Sequence, residues 1–148
     1  MQVFTIASST GRPFWILAPA FIIIAVAVGV LAMVAFSSRT ARVEVSSQGL
    51  RLRGDLWGRF IPASALEIEK AHRVDFVASP ELLPARRTMG TGLPGYQSGW
   101  FRLKNGEQAL LYLTDRAKAV YVPTNQGYGL LLSPDDPDGF IGALAARR

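Results

Sequence analysis

The most prominent hydrophobic pattern in the chain is an unbroken apolar run from Phe14 to Phe36 that contains no charged residue. A helix rises about 1.5 Å per residue, so this run spans roughly 34 Å, whereas the hydrocarbon core of a bilayer is about 30 Å thick. The pattern therefore predicts a single transmembrane helix over residues 14–36, with a short segment, 1–13, before it and a linker, 37–41, after it.

A cleaved signal peptide is the alternative interpretation, because Ala35-Phe36-Ser37 places small residues at a spacing that signal peptidases accept. However, the apolar run is longer than the apolar region of a signal peptide. The residues before it contain one basic side chain, Arg12, which makes a poor signal-peptide start. Both features favour a retained anchor.

Basic residues near the helix predict its orientation, since Lys and Arg resist translocation and stay on the cytoplasmic side. Only Arg12 precedes the apolar run, whereas several arginines follow it closely: Arg39, Arg42, Arg51 and Arg53. We therefore expect the C-terminal part to be cytoplasmic. Ala18, Ala25 and Ala32 recur at heptad spacing within the run, which is compatible with a homo-oligomer formed through the helix.

Beyond the linker, apolar residues alternate with polar ones at the period of a half-buried β-strand. Val43 and Val45, then Leu50 and Leu52, flank the turn Ser46-Ser47-Gln48-Gly49 and predict a hairpin. A further strand is expected around Arg59 to Pro62, with Trp57 and Phe60 as core candidates. A less regular strand is expected between Leu66 and Val77, with Leu66, Ile68, Val74 and Phe76 as its apolar positions.

The clearest local signal is GWFRLKNGEQALLYLTD, Gly99 to Asp115, in which Asn105-Gly106 separates two β-prone runs. Asn-Gly is typical of a two-residue type I′ turn, because both central residues need positive φ. Such a turn predicts a hairpin that pairs Lys104 with Glu107, Leu103 with Gln108, Phe101 with Leu110 and Trp100 with Leu111. Two more strands are expected at Ala119 to Pro123 and Tyr128 to Leu132, around Asn125-Gln126-Gly127.

The last residues predict one amphipathic helix. Ser133 or Asp136 can cap its N-terminus, with a proline at the first helical position. Its apolar residues fall on one face: Phe140, Ile141, Leu144 and Ala145. The predicted fold class is mainly β, an antiparallel barrel or sandwich over residues 42–148 that one C-terminal helix covers.

Two stretches, GTGLPGYQSGWFRLKNGEQALLYLTD (Gly90 to Asp115) and LLLSPDDPDGFIGAL (Leu130 to Leu144), resemble bacterial pleckstrin-homology-like (PH-like) domains that follow membrane helices. The resemblance implies two roughly orthogonal sheets of about seven strands with the C-terminal helix over one end, and a location at the bacterial plasma membrane. It implies little about function, since one fold hosts lipid, peptide and protein binding alike.

Basic residues on the first hairpin are the first candidate binding site. Eukaryotic PH domains that bind phosphoinositides place a basic residue on the first strand and a basic-x-basic pair on the second. Arg42 with Arg51-Leu52-Arg53 is similar to that arrangement and predicts contact with anionic lipid. The alternative is that these arginines are simply the solvated face of a strand.

A glycine-rich segment is the second candidate. Gly90, Gly92 and Gly95 match the G-x-G-x-x-G pattern of dinucleotide sites, but the residues before Gly90 are not a buried parallel strand, and Pro94 removes an amide. We interpret the segment as a glycine-permitted loop. It could contribute to a ligand pocket with Arg86 and Arg87 as anion contacts.

Composition argues against other functions. The chain has no cysteine and one histidine, His72, so thiolate and multi-histidine metal sites are not expected, and no cofactor is implied. The aspartates 135, 136 and 138 are accounted for by helix capping. The net charge is +5, but acidic residues interrupt the basic ones, so the sequence shows no basic stripe of the kind that binds nucleic acid. The expected function is a non-enzymatic, membrane-tethered interaction module for a protein partner. A sensor of an anionic lipid headgroup or a small ligand is the alternative.

Overall fold

The first helix carries the apolar run. The computed structural model describes the backbone of residues 12–147 and the side chains of residues 15–36 and 39–147. Helix α1 spans Arg12–Thr40 and therefore includes most of the segment predicted as a linker. Within it, Trp15–Phe36 has a mean hydropathy of 2.8 and is long and apolar enough to cross a membrane. Residues 3–6, which are apolar and β-prone, lie outside the described part.

The chain divides into two compact units, residues 1–36 and 37–148. The described residues of the second unit form nine strands and a second helix. The strands are β1 (Arg42–Ser46), β2 (Gly49–Arg53), β3 (Phe60–Pro62), β4 (His72–Arg73), β5 (Pro84–Leu93), β6 (Tyr96–Leu103), β7 (Gln108–Leu113), β8 (Val120–Pro123) and β9 (Gly129–Leu132), and the helix is α2 (Pro137–Ala145).

Strands β1, β2 and β3 form a three-stranded antiparallel sheet, which confirms the predicted first hairpin. Leu50 and Leu52 are buried on its inner face, as the alternation predicted. The expected core role of Phe60 is wrong, because β3 pairs with β2 so that Leu50 faces Ile61 and Arg51 faces Phe60. Ile61 is therefore the buried residue, and Phe60 remains 43% exposed.

The other six strands form one mixed sheet in the order β4-β8-β9-β7-β6-β5. The predicted β8–β9 hairpin is present, and β9 inserts between β8 and β7. This insertion makes the β7–β9 pair parallel, whereas all strands were expected to be antiparallel. The two sheets do not close into a barrel. The two-sheet, PH-like form of the prediction is therefore confirmed, and the closed-barrel form is wrong.

The hairpin at Asn105-Gly106 is confirmed, but its predicted register is wrong by one residue. Trp100 pairs with Leu110, and Phe101 pairs with Ala109. The amide of Gly106 donates to the carbonyl of Leu103 at 3.0 Å, and within the loop, residues 104–106, Gly106 alone has positive φ, at 87°. This is a three-residue loop rather than a type I′ turn. The Asn105 Oδ1 accepts the amide of Glu107 at 2.9 Å and thereby stabilises the longer loop.

The expected strand between Leu66 and Val77 is mostly absent. Two 3₁₀ turns, Ala63–Ala65 and Ile68–Lys70, flank its beginning, and Leu66 forms one isolated bridge with Thr124. His72–Arg73 pairs with the sheet as a short strand. Val74 is nevertheless buried, as expected of an apolar position. It belongs to a segment that covers the outer face of the six-stranded sheet.

Each face of the six-stranded sheet carries its own apolar cluster. On one face, Leu110, Val122 and Leu130 pack with the inner residues of the three-stranded sheet and with α2. On the other face, Leu111 and Leu131 pack with residues of the covering segment, Val74 and Leu82. The central strands are consequently buried on both sides, and the outer strands β4 and β5 carry the exposed edges.

Helix α2 begins as predicted, with Asp136 as its N-cap and Pro137 at the first helical position. The Oδ1 of Asp136 accepts the amide of Gly139 at 3.0 Å. Phe140 and Leu144 are buried, whereas Ala145 is exposed and does not join the predicted apolar face. Beyond the helix, the guanidinium of Arg147 donates a hydrogen bond to the carbonyl of Val45 at 2.6 Å. This bond connects the residues after α2 to the three-stranded sheet.

Candidate functional site

The first candidate surface is the outer face of the three-stranded sheet. The register pairs Arg42 with Arg53 and Glu44 with Arg51, and all four side chains are exposed. The structure therefore brings the three predicted arginines of the first hairpin onto one face. This follows directly from the two-residue period of the strands, which also buries Leu50 and Leu52 on the opposite side.

Two of these arginines already have partners. The Nε of Arg53 lies 3.4 Å from the Oε2 of Glu44, and the guanidinium carbon of Arg51 lies 5.6 Å from the centroid of the Phe60 ring. Both contacts are solvent-exposed, and exposed ion pairs contribute only about 0–1 kcal/mol. The face remains able to attract an anionic surface, and it also fits the simpler description of a solvated strand face.

Arg86 and Arg87 lie on a different surface, the edge strand β5. Arg86 pairs with Arg102 of β6, Arg87 pairs with Phe101, and the register shifts on either side of this pair. Both side chains are exposed. These two arginines are therefore not brought together with the arginines of the three-stranded sheet.

The glycine-rich segment is a strand and a tight turn rather than a loop. Gly90 and Gly92 belong to β5, which is antiparallel to β6, and no helix follows them. Gly90 pairs with Gly99, and both have positive φ, at 150° and 104°. A Cβ at Gly90 would collide with the carbonyl oxygen of Ser98, so the glycine permits a close approach of the two strands. The structure does not form a dinucleotide-binding loop here.

The turn itself, Pro94-Gly95, connects β5 to β6, with Gly95 at a φ of 77°. Proline followed by a glycine of positive φ is the arrangement of a type II turn. This turn lines a pocket of about 510 Å³ together with Gly92, Tyr96, Thr114 and Arg116. Gly92 and Gly95 thus lie on a concave surface, and Arg116 is the basic residue that lines it. The side chain of Arg87 also lies beside Gly92, since its Cδ would be 3.8 Å from a Cβ at that glycine.

A second pocket, of about 610 Å³, adjoins the first, since Tyr96 and Thr114 line both. Its walls also include Arg39, Arg42, Tyr112 and Ser133. We call this second cavity the Tyr112 pocket. It is located where β1 and β6 begin and where β7 ends, and the residues 133–135, which directly follow β9, complete its wall. Arg42 is the one predicted site residue that lines it.

A buried polar cluster lies beside these pockets. The carboxylate of Asp55 accepts hydrogen bonds from the hydroxyl of Tyr96, at 2.5 Å, and from the hydroxyl of Ser98. Tyr96 and Ser98 are both buried. Burial and the bond to Asp55 raise the pKa of Tyr96 to about 12, so its hydroxyl stays protonated and donates. The cluster joins the loop after β2 to strand β6.

Tyr112 differs from Tyr96 because its hydroxyl lacks a partner. Its side chain is 5% exposed, and among the described residues its buried hydroxyl oxygen accepts or donates no hydrogen bond. Burial, together with the nearby Asp55 charge, raises the pKa of Tyr112 well above its usual range. Leaving a buried hydroxyl unpaired costs about 1–3 kcal/mol. Sequence reasoning had no means of finding this group, because Tyr112 occupies an ordinary strand position.

The sequence profile of the bacterial PH domain family matches residues 41–148, the whole β-rich unit together with α2. The chain belongs to the bacterial PH domain family. No curated protein and no solved structure matches the chain significantly. The family accounts for the two-sheet architecture and the C-terminal helix, and PH-like domains are generally interaction modules rather than enzymes.

The other residues of this PH domain that could take part in catalysis or metal binding, a histidine and three aspartates, do not form one cluster. His72 is exposed on β4, and its Nδ1 lies 2.8 Å from the carbonyl oxygen of Lys70. Asp136 caps α2, whereas Asp135 and Asp138 face Lys118 and Arg73 respectively. Among the described residues, no group of three histidine, cysteine, aspartate or glutamate side chains could hold a metal ion.

Proposed function

We propose that this chain is a single-span protein of the bacterial plasma membrane whose PH domain serves, without catalysis, as a contact module for proteins on the cytoplasmic side. The observation that carries the proposal is the helix Trp15–Phe36. It combines a mean hydropathy of 2.8 with no burial against the rest of the structure. Apolar surface of this length is suited to a lipid environment and costly in water.

The orientation rests on charge. The arginines that closely follow the helix exceed the single Arg12 before it. Because the chain has no cysteine, a Val77→Cys variant introduces one unique thiol at a side chain that is 91% exposed. A membrane-impermeant maleimide should label this thiol only after cells are lysed. Labelling in intact cells would reverse the proposed orientation.

The edge strand β5 is the surface we propose for a protein partner. It is ten residues long, it lies at the end of the six-stranded sheet, and most of its side chains are exposed. An extended peptide can add to such an edge through main-chain hydrogen bonds. The arginines and the register shifts on β5 also discourage unselective pairing.

A photo-crosslinking amino acid at Met89 tests this surface in cells, with the same amino acid at Val77 as the control. Both side chains are exposed, at 58% and 91%, but only Met89 is on β5. We expect a discrete adduct from position 89 alone. An adduct of twice the chain's mass would identify a second copy as the partner, and equal patterns from both positions would contradict the assignment to β5.

Contact with anionic lipid is the second candidate function, favoured by the common face of Arg42, Arg51 and Arg53. Each basic residue near an anionic surface contributes about 1 kcal/mol of attraction. In nanodiscs that contain the full chain, amide hydrogen exchange of β1 and β2 should slow when phosphatidylglycerol replaces phosphatidylcholine. The Arg51→Glu/Arg53→Glu variant should abolish that difference. Equal exchange in both lipids would remove this candidate.

A further inference from the structure

The sheet edges of the domain differ in length. Strand β4, at one end of the six-stranded sheet, has two residues, whereas β5, at the other end, has ten. In the smaller sheet, β3 has three residues, and on β1 the carbonyl of Val45 accepts a hydrogen bond from Arg147. Natural proteins usually keep edge strands short or cover them, because an edge presents unpaired N–H and C=O groups. Among the described strands, β5 is therefore the edge with the most room for an added strand.

The charged side chains along this edge all have the same sign. Arg86 and Arg87 are exposed on β5, Arg102 is exposed on the neighbouring strand β6, and the exposed Lys104 follows β6 directly. Residues 84–104 contain no aspartate or glutamate. None of the four cations forms an ion pair with another described residue. The edge therefore carries positive charge that the domain itself does not balance.

The register directs the two arginines of β5 to opposite faces of the sheet. Arg86 is paired with Arg102, and Arg87 is paired with the preceding residue of β6, Phe101. Side chains of directly paired residues share a face, and faces alternate along a strand. In a strand added to β5, the residue opposite Arg86 and its neighbour opposite Arg87 would also point to opposite faces. Two adjacent acidic residues would thus each meet one arginine.

An apolar and aromatic surface lies beside the arginines and gives a sign of binding that does not depend on charge. Met89 is 58% exposed and pairs with the half-buried Trp100, on the face that carries Arg86. The Trp100 ring lies 5.0 Å from the ring of Tyr128 and 5.1 Å from the guanidinium carbon of Arg59. Residues that dominate binding energies are enriched in Trp, Tyr and Arg. This surface suits an apolar side chain of an added strand.

The same charges argue against a second copy of the chain on this edge. Antiparallel pairing of two β5 strands would bring Arg86 and Arg87 of both copies into one short stretch, with no acidic residue of β5 to balance them. Like charges on neighbouring strands destabilise their pairing. An acidic segment gains attraction where a second copy meets repulsion.

We propose that the segment that adds to β5 is an extended, acidic stretch of a partner protein. Two adjacent carboxylate side chains contact Arg86 and Arg87, and an apolar side chain packs against Met89. The inference rests on the proposed use of β5 as a protein contact and adds the chemistry of the partner. Main-chain hydrogen bonds along β5 provide affinity, and the arginines select the segment. Arg51 and Arg53 belong to the other sheet and take no part.

The test uses the full chain in phosphatidylcholine nanodiscs and measures the binding of labelled ten-residue peptides by fluorescence anisotropy. Three peptides alternate threonine and valine around two central residues, which are two glutamates, two lysines, or two glutamates in a peptide with N-methylated backbone amides. We expect the unmodified chain to bind the glutamate peptide about tenfold more tightly than the lysine peptide, since two cross-strand charge pairs change from attractive to repulsive. The N-methylated peptide should not bind, because it cannot donate main-chain hydrogen bonds to β5.

Variants of the chain separate selection by the two arginines from the overall charge of the domain. Arg86→Glu/Arg87→Glu should invert the preference, so that the lysine peptide binds more tightly. Arg86→Gln/Arg87→Gln should bind both peptides equally. Arg51→Glu/Arg53→Glu is the matched control, because it changes the net charge as much as Arg86→Glu/Arg87→Glu, at exposed strand positions of the other sheet. It should keep the preference of the unmodified chain.

The other outcomes distinguish this inference from the proposed function. Equal binding of the glutamate and lysine peptides to the unmodified chain would overturn the acidic partner and leave β5 as a contact strand. Undiminished binding of the N-methylated peptide would overturn both the inference and the use of β5. If no peptide binds, the inference fails, and the crosslink from Met89 decides the use of β5 separately. An adduct of twice the chain's mass in that crosslink would assign the edge to a second copy and would also overturn the inference.

Discussion

The chain has two regions rich in large apolar side chains, and these side chains are exposed in one region and buried in the other. In the span Trp15–Phe36, Ile22 and Leu31 are 64% and 63% exposed, whereas in the PH domain Leu110 and Leu131 are 0% exposed. The domain buries its apolar residues between its own strands. The helix buries none of the corresponding window, and this exposed apolar surface is why we propose a lipid environment for it.

The largest expected effect comes from placing charge in the helix. Ala25→Arg/Val26→Arg should release the chain from the membrane fraction, because each arginine near the centre of a span costs about 2.5–3.5 kcal/mol on insertion. Leu56→Arg/Val77→Arg adds the same charge at apolar side chains of the domain that are 84% and 91% exposed, and should leave fractionation unchanged. Equal sedimentation of both variants would remove the distinction between the two regions.

Replacing leucine by alanine compares the buried core of the domain with the exposed surface of the helix. Leu110→Ala and Leu131→Ala should each lower the free energy of unfolding of the domain by about 3 kcal/mol, since they leave cavities on the two faces of the central sheet. Leu31→Ala, in the helix, should leave the urea midpoint of the domain in detergent micelles unchanged. If all three variants shift the midpoint equally, apolar side chains of the helix and of the domain core contribute alike to the stability of the domain.

A smaller effect is expected from the buried polar cluster. Asp55→Ala removes the acceptor of two buried hydroxyls, those of Tyr96 and Ser98, and should cost about 2 kcal/mol in the same unfolding measurement. Glu81→Ala changes an exposed acid and should cost less than about 0.5 kcal/mol. Similar midpoints for the two variants would show that the cluster does not hold the β2–β3 loop.

The smallest predicted difference lies within helix α2. Asp136→Ala removes the N-cap bond to the amide of Gly139 and should cost about 1 kcal/mol. Asp138→Ala removes an exposed ion pair with Arg73 and an exposed carboxylate in the first helical turn, and should cost less than the loss of the cap. Thermal unfolding of the two variants measures this difference, and an equal or larger loss for Asp138→Ala would contradict the capping role.

Local periodicity accounts for what the sequence predicted correctly. The apolar run, the first hairpin and the cap of α2 each depend on residues close together in the chain. The register at Asn105-Gly106 was not predictable from the dipeptide, because the side chain of Asn105 stabilises a three-residue loop through the amide of Glu107. Phe60 was wrongly expected in the core because the pairing with β2, which a local pattern does not give, makes Ile61 the residue that faces inward.

The residues of the candidate site could not be grouped from the sequence, because they come together only in the folded domain. Asp55 is 41 and 43 positions away from the residues that it bonds, Tyr96 and Ser98. Tyr112 lines the same pocket as Arg39 and Arg42 only because of the arrangement of β1, β6 and β7. A strand pattern shows that a tyrosine is inward but not whether its hydroxyl finds a partner. The arginines of the first hairpin were correctly placed on strands, whereas Arg86 and Arg87 were expected beside a loop and lie on β5. Sheet order, which local patterns do not reveal, separates these two arginines from the first hairpin.

The most direct test of the membrane tether is alkaline carbonate extraction of membranes from cells that express the full, unmodified chain. A chain that spans the bilayer through Trp15–Phe36 should stay in the membrane pellet, whereas a protein bound at the surface is released. Recovery of the chain in the carbonate supernatant would contradict the account.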